Sequence, residues 1–149
     1  RLSYTALGDT VNLASRLEGA NSFYSTPVLV SSATVEEVEA DDTVEGKFLW
    51  RRVDKVAVKG RSKPELVFQP LGLAETVSEE DTRWAKDYEA ALDAYLERRF
   101  ADSLEILSKL AAARPNDLSV DRLAKSCHAY SENPPPADWD GVSRFTSKG

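Results

Sequence analysis

The chain has 149 residues, 42% of them hydrophobic, with 25 acidic against 19 basic side chains and a formal net charge of −6. That is enough apolar material for one ordinary core or for a small domain with an appendage, and the acidic balance gives no basis for a nucleic-acid partner. A single cysteine, Cys127, and a single histidine, His128, exclude a disulfide framework and a Cys/His zinc site, and no apolar run approaches the roughly 18 to 20 residues that cross a bilayer.

These features fit a reducing, cytosolic compartment, with no membrane contact from this segment. The chain opens at Arg1 rather than Met, already in what reads as a strand, and no signal peptide stands at its start. The expectation is a piece of a longer protein, which leaves open that it is the soluble end of a membrane-anchored receptor. Cys127 stands in line with apolar neighbours and reads as core rather than as a thiol activated by His128.

In chain order, residues 1–7 read as a strand end, Gly8-Asp9 as a turn, and Asp9 as the cap of a helix over about Thr10 to Phe23. Leu13, Leu17, Ala20 and Tyr24 give that helix an apolar stripe, while Asn12 and Arg16 stand one turn apart on another face and can reach a common target. Pro27 to Val30 reads as a short buried strand. Ser31 or Ser32 then caps a short acidic helix near Val35 to Glu39, closed by Asp41-Asp42. Phe48 to Val58 is rich in β-branched and aromatic residues, Gly60-Arg61-Ser62 turns the chain, and Glu65 to Gln69 returns, which predicts a hairpin.

Beyond Leu73 the periodicity becomes helical. Trp84, Tyr88, Ala91, Leu92 and Tyr95 form one stripe, and Phe100, Leu104, Leu107 and Ala111 a second. A third helix, from about Leu118 to Tyr130, carries Val120, Leu123, Ala124 and Cys127 inward, and Pro134-Pro135-Pro136 ends it. The last segment is too Pro-rich for regular structure and is expected to be ordered only where Trp139 and Phe145 dock.

Charge is unevenly placed. Residues 1–74 hold 9 basic and 10 acidic side chains, and residues 75–149 hold 10 and 15. Arg51, Arg52, Lys55, Lys59, Arg61 and Lys63 crowd into one strip with Asp54 as its only acid. Two readings stand side by side: a strip for an anionic ligand, or a strand edge guarded by charge against aggregation.

The segment YTALGDTVNLASRLEG, residues 4–19, resembles the signature that precedes and opens a catalytic helix in class III adenylate and guanylate cyclases. VKGRSKP, residues 58–64, extends the resemblance, which covers about residues 1–72. The resemblance implies an α+β chain: residues 1–74 as the C-terminal half of a ferredoxin-like cyclase domain, 75–131 as an all-α tail, and 132–149 as a Pro-rich end. It implies conversion of ATP to 3′,5′-cyclic AMP and pyrophosphate, with Asn12 holding the ribose, Arg16 stabilising the transferring α-phosphoryl group and Lys59 gripping the triphosphate. A guanidinium presents parallel donors to phosphoryl oxygens, and a carboxamide orients a sugar without adding charge. Thr5, seven residues before Asn12, stands where bacterial adenylate cyclases often carry Thr and favours ATP over GTP.

Mg or Mn ions are implied as well, but their two aspartates lie upstream of this motif in the family and so before Arg1. The lysine that helps select adenine is missing too. Asp9, Asp41-Asp42 and Glu36-Glu37 read as a cap and as solvated charges rather than replacements. The family's sites form between two domains, so a homodimer is implied. Tyr88, Ala91, Tyr95, Phe100, Ser103 and Pro115 further resemble the helix-pair pattern of tetratricopeptide repeats, for about one and a half repeats. That is too few for a free-standing solenoid, so this part should pack on the cyclase core or on a second subunit. Similar tails with a Pro-rich stretch and WDG, here Trp139-Asp140-Gly141, follow the cyclase domain in some bacterial multidomain cyclases. The alternative is a non-catalytic cyclase-like module or a helical adaptor.

Overall fold

The structure, a computed structural model, describes residues 29–41, 47–57 and 63–144. The turn at Gly8-Asp9 and the helix expected over 10–23 lie outside the described residues, as does Phe145. The described chain is an α+β arrangement in which a three-stranded antiparallel sheet is followed by three helices.

Strand β1 (Val30–Ser31) leads directly into helix α1 (Ser32–Ala40), because the Ser31 hydroxyl accepts from Thr34 N at 3.3 Å and satisfies one free amide of the first turn. Thr34, Val35 and Val38 are the buried face of α1. β2 (Phe48–Val56) and β3 (Glu65–Leu73) form the expected hairpin, and β3 pairs on its other side with β1, so the sheet order is β1-β3-β2. The first core lies on this sheet and gathers Leu29, Val30, Val35, Val53, Val56 and Val67, with Trp50 and Phe68 packed against it.

β3 runs four residues beyond the expected end at Gln69. Pro70 has no amide proton for a ladder, but it sits at a register shift, where Leu49 faces Gly72 and Trp50 faces Pro70, leaving Leu71 without an opposite residue. A second shift leaves Val53 unopposed, between Arg52 facing Phe68 and Asp54 facing Val67. This second bulge changes the side-chain period: Trp50, Val53 and Val56 go to the sheet core, while Arg51 and Asp54 are buried towards the helices.

Helix α2 (Glu79–Leu96) starts at Ser78, whose hydroxyl accepts from Asp81 N, and carries Glu79, Glu80 and Asp81 in its first turn, where they favour the helix dipole. Helix α3 (Phe100–Ala113) follows a turn in which Arg98 holds a positive φ of 67°, and helix α4 (Leu118–Glu132) is capped by Asp117. The α2 stripe is buried as its spacing predicts. On α3 the buried face is rotated: Ser103 and Leu110 are buried with Phe100 and Leu107, while Leu104 and Ala111 pack from the side. The small Ser103 lets α2 and α3 approach closely, and its hydroxyl donates to the Ala91 carbonyl at 2.8 Å. Cys127 is fully buried in this second core, and His128 is exposed, so the two form no reactive pair. Among the described residues no helix is long and apolar enough to cross a membrane.

The helical part lies on the sheet, with α2 against β2. The Tyr88 hydroxyl donates to the Val53 carbonyl at 2.7 Å, and Glu89 Oε2 accepts from Arg52 N at 2.7 Å, so two side chains of one helix satisfy backbone groups at the β2 bulge. The segment after α4 then returns to the sheet. Trp139 joins Tyr95, Phe100 and Tyr130 in an aromatic cluster with ring centroids 5.2–5.8 Å from its own. Arg98 lies over the Trp139 ring and donates to the carbonyls of Pro135 and Pro136. Ser143 then pairs in parallel with β2: its N–H donates to Lys55 O at 2.8 Å, its carbonyl accepts from Ala57 N at 3.0 Å, and its hydroxyl donates to Asp54 Oδ2 at 2.6 Å.

Gly141 is what lets this segment pass, because its φ of +75° is strained for any other residue and a Cβ there would stand 2.5 Å from Leu96 Cδ2. Gly141→Ala should therefore cost about 1–3 kcal/mol, read as a lower urea midpoint with an unchanged slope. Burial, and secondarily the charge of Asp54, pushes the Tyr88 phenol well above the ordinary tyrosine range. Below about pH 10 both folded and unfolded chains hold that proton; above it only the folded chain does, and stability falls by about 1.4 kcal/mol per pH unit for Tyr88. Urea unfolding between pH 8 and pH 11 should show this alkaline loss, and Tyr88→Phe should make it shallower.

Candidate functional site

The four residues to which the cyclase resemblance gives roles, Thr5, Asn12, Arg16 and Lys59, lie outside the described residues, as do Asp9, Asp42 and Arg61. What the structure describes is the stem of the hairpin on either side of residues 58–62. Its first arm ends at Ala57, where Ser143 pairs with it, and its second begins at the exposed Lys63. Glu36 is exposed, as expected of a solvated charge, whereas Glu37 is half-buried. Among the described residues no group of three or more His, Cys, Asp or Glu stands together to hold a metal, so the implied Mg or Mn ions find no ligand set there.

The basic strip has a use that neither sequence reading named: at least three of its members hold the helical part or the segment that follows it. Arg52 Nη2 pairs with Asp93 Oδ1 on α2 at 2.9 Å, and Lys55 Nζ donates to the Asp140 carbonyl at 3.2 Å. Arg51 goes furthest inward and is 2% exposed. Its Nε donates to Gln69 Oε1 at 2.9 Å, its Nη2 to Ser119 Oγ at 3.4 Å, and its Nη1 lies 3.9 Å from Asp117 Oδ1. The guanidinium also lies over two aromatic rings, 5.3 Å from the Trp84 centroid and 4.7 Å from that of Tyr88.

A cavity of about 260 Å³ opens beside Arg51, between the hairpin, the start of α2 and the α3–α4 turn. Leu71, left unopposed by the first bulge, forms part of its wall with Val77 and Ala85, and Trp84, Asp81, Arg114 and Asp117 are among the other residues that line it. Arg114 lies over the Trp84 ring at 5.0 Å and pairs with Asp81, holding that carboxyl below its usual range. The sequence signal for this site was indirect: Trp84 and Tyr88 stand four apart on one helix, opposite a strand with an arginine at its centre. Without knowledge of the bulge, period-two alternation turns Arg51 and Val53 to the same side.

The depth of the two ion pairs sets their weight. Arg51→Met removes two hydrogen bonds and two ring contacts of a buried cation and should cost about 3 kcal/mol. Arg52→Met loses a pair whose partner is about half exposed and should cost about 1 kcal/mol or less. Urea denaturation of the two variants side by side checks the ranking.

No family model matches the chain, and no solved structure matches it. Two curated relatives are similar. "Adenylate cyclase 1" of Rhizobium meliloti is 42% identical over 78 residues, which is 52% of this chain and 11% of that protein. "Adenylate cyclase, terminal-differentiation specific" of Dictyostelium discoideum is 31% identical over 122 residues, 78% of this chain and 5% of that protein. The chain thus spans about a tenth or less of either relative's length. A stretch covering 78% of 149 residues, about 116, necessarily includes residues 34–116, so the second similarity runs through the hairpin into α2 and α3. The chain is related in sequence to adenylate cyclases.

Proposed function

We propose that this chain is part of a class III adenylate cyclase that converts ATP to 3′,5′-cyclic AMP and pyrophosphate, with residues 1–74 as half of the catalytic domain, 75–131 as a helical tail and 132–149 as its Pro-rich end. The carrying observation is the ungapped segment at residues 4–19, which reads as the family's catalytic helix; the two relatives, both named adenylate cyclases, support it. The reaction is an in-line displacement: the ribose 3′-oxygen attacks the α-phosphorus, loses its proton, and expels pyrophosphate. Negative charge grows on the phosphoryl oxygens, and a fixed guanidinium is suited to meet it.

In this reading Arg16 supplies that donor set, Asn12 orients the ribose, Lys59 grips the triphosphate and Thr5 hydrogen-bonds the adenine edge. Two copies of the protein share each site across their interface, one giving Asn12 and Arg16 and the other the metal-bearing half. The adaptor alternative receives little support from the helices, because the aromatic stripe of α2 is buried inside the chain rather than offered to a peptide.

The test uses the longer protein. Arg16→Ala should lower kcat by about 10² to 10³ fold with little change in KM, because its contact strengthens as charge develops. Lys59→Ala should chiefly raise KM. An Arg16→Ala protomer mixed with a protomer lacking the metal ligands should regain activity through one intact shared site. If heterodimers form yet stay as inactive as either parent, the shared-site assignment of Arg16 fails.

A further inference from the structure

We propose that Ser143 is a positioning residue for Lys59 and so sets the affinity for ATP, on the cyclase reading in which Lys59 grips the triphosphate. Ala57, the last described residue of the first hairpin arm, stands two positions before Lys59. Two residues of chain span at most about 7 Å, so whatever fixes the backbone at Ala57 limits where the backbone of Lys59 can go. The strand is held there on both edges. On one edge Val56 faces Glu65 of β3. On the other Ser143 brackets Val56, its N–H donating to the Lys55 carbonyl at 2.8 Å and its carbonyl accepting from Ala57 N at 3.0 Å.

The hydroxyl does more than cover an edge. It donates to Asp54 Oδ2 at 2.6 Å, while Asp54 Oδ1 accepts from Lys55 N at 2.7 Å. Asp54 is 5% exposed, and a buried carboxylate that loses a donor is costly, so the pairing is tied to this register. Ser143 is in turn carried by the helical part, through Trp139 in the aromatic cluster and the buried Val142. The remaining hold of the helices on β2, through Arg51, Arg52, Tyr88 and Glu89, does not pass through Ser143. Loosening Ser143 therefore frees the end of β2 and leaves α2 docked. A lysine on a looser arm meets the triphosphate in a smaller fraction of molecules, which weakens binding by that fraction. Groups that act on the α-phosphoryl are untouched, so the effect falls on KM rather than on kcat.

The test again uses the longer protein. Ser143→Pro removes the N–H and the hydroxyl together and should raise KM for ATP by about fivefold or more, with kcat within about twofold. Hydrogen exchange should quicken at Ala57 while the α2 amides keep their protection. Should α2 lose protection in that variant, Ser143→Ala, which keeps the backbone pairing, carries the same comparison with a rise in KM of about two- to threefold. In the Lys59→Ala background neither substitution should raise KM further, because no lysine is left to position, whereas two independent effects multiply. An unchanged KM in the Ser143 variants beside a raised KM in Lys59→Ala overturns the inference and leaves the cyclase reading standing. So does a further rise in KM in the double variant, or a fall in kcat as large as the rise in KM. An unchanged KM in Lys59→Ala overturns the Lys59 assignment itself, and the role of Ser143 with it.

Discussion

One extra residue in β2, Val53, sets the terms on which sheet and helices meet. Without it, Arg51 and Val53 would share a face and the strand would present one apolar side and one polar side. With it, Val53 turns into the sheet core while Arg51 and Asp54 both face the helical part. The bulge also leaves a carbonyl and a nearby amide in need of partners, and α2 brings Tyr88 and Glu89 to them at adjacent positions. Docking of the helix is therefore directional: sliding it by a turn would leave a phenol, a carboxylate and two backbone groups unpaired at once.

Around that contact the described residues form two apolar cores with a polar layer between them. The sheet core is aliphatic and modest, and the helical core is larger and rich in rings. Three cations from β2, Arg51, Arg52 and Lys55, reach acids and carbonyls of the helical part and of the segment after α4, so this part of the basic strip is matched to the more acidic second half of the chain. Buried, ring-stacked Arg51 carries more of the attachment than Arg52, because solvent reaches the latter's half-exposed partner Asp93 and screens the pair.

Much of this was legible in the residues. Ser31, one of two serines read as a cap, is the cap of α1; Trp84, Tyr88 and Tyr95 read as a stripe and are one. Pro70 misled, since a proline argues against a continued strand unless a register shift excuses its missing amide, and shifts leave no local trace. Ser103 was absent from the apolar stripe of α3, because a polar residue shows no core role by periodicity alone until its hydroxyl finds the carbonyl of Ala91. The strip from Arg51 to Lys63 was read as facing outward because charge alone says nothing of a partner far along the chain. The candidate catalytic residues were legible only through resemblance, since one asparagine and one arginine on a helix have many uses.

The pairing of Ser143 with Lys55 and Ala57 joins positions nearly ninety residues apart, and Ser143 also meets Asp54. A chain emerging from the ribosome makes β2 long before the residue that lines its edge. Until position 143 is synthesised, the Lys55 carbonyl and the Ala57 amide lack this partner, and open backbone groups of that kind recruit foreign strands. Closing the ring of chain from Asp54 to Ser143 is thus a late, entropically expensive event in biogenesis, and the aromatic anchoring of Trp139 shortens the search that precedes it.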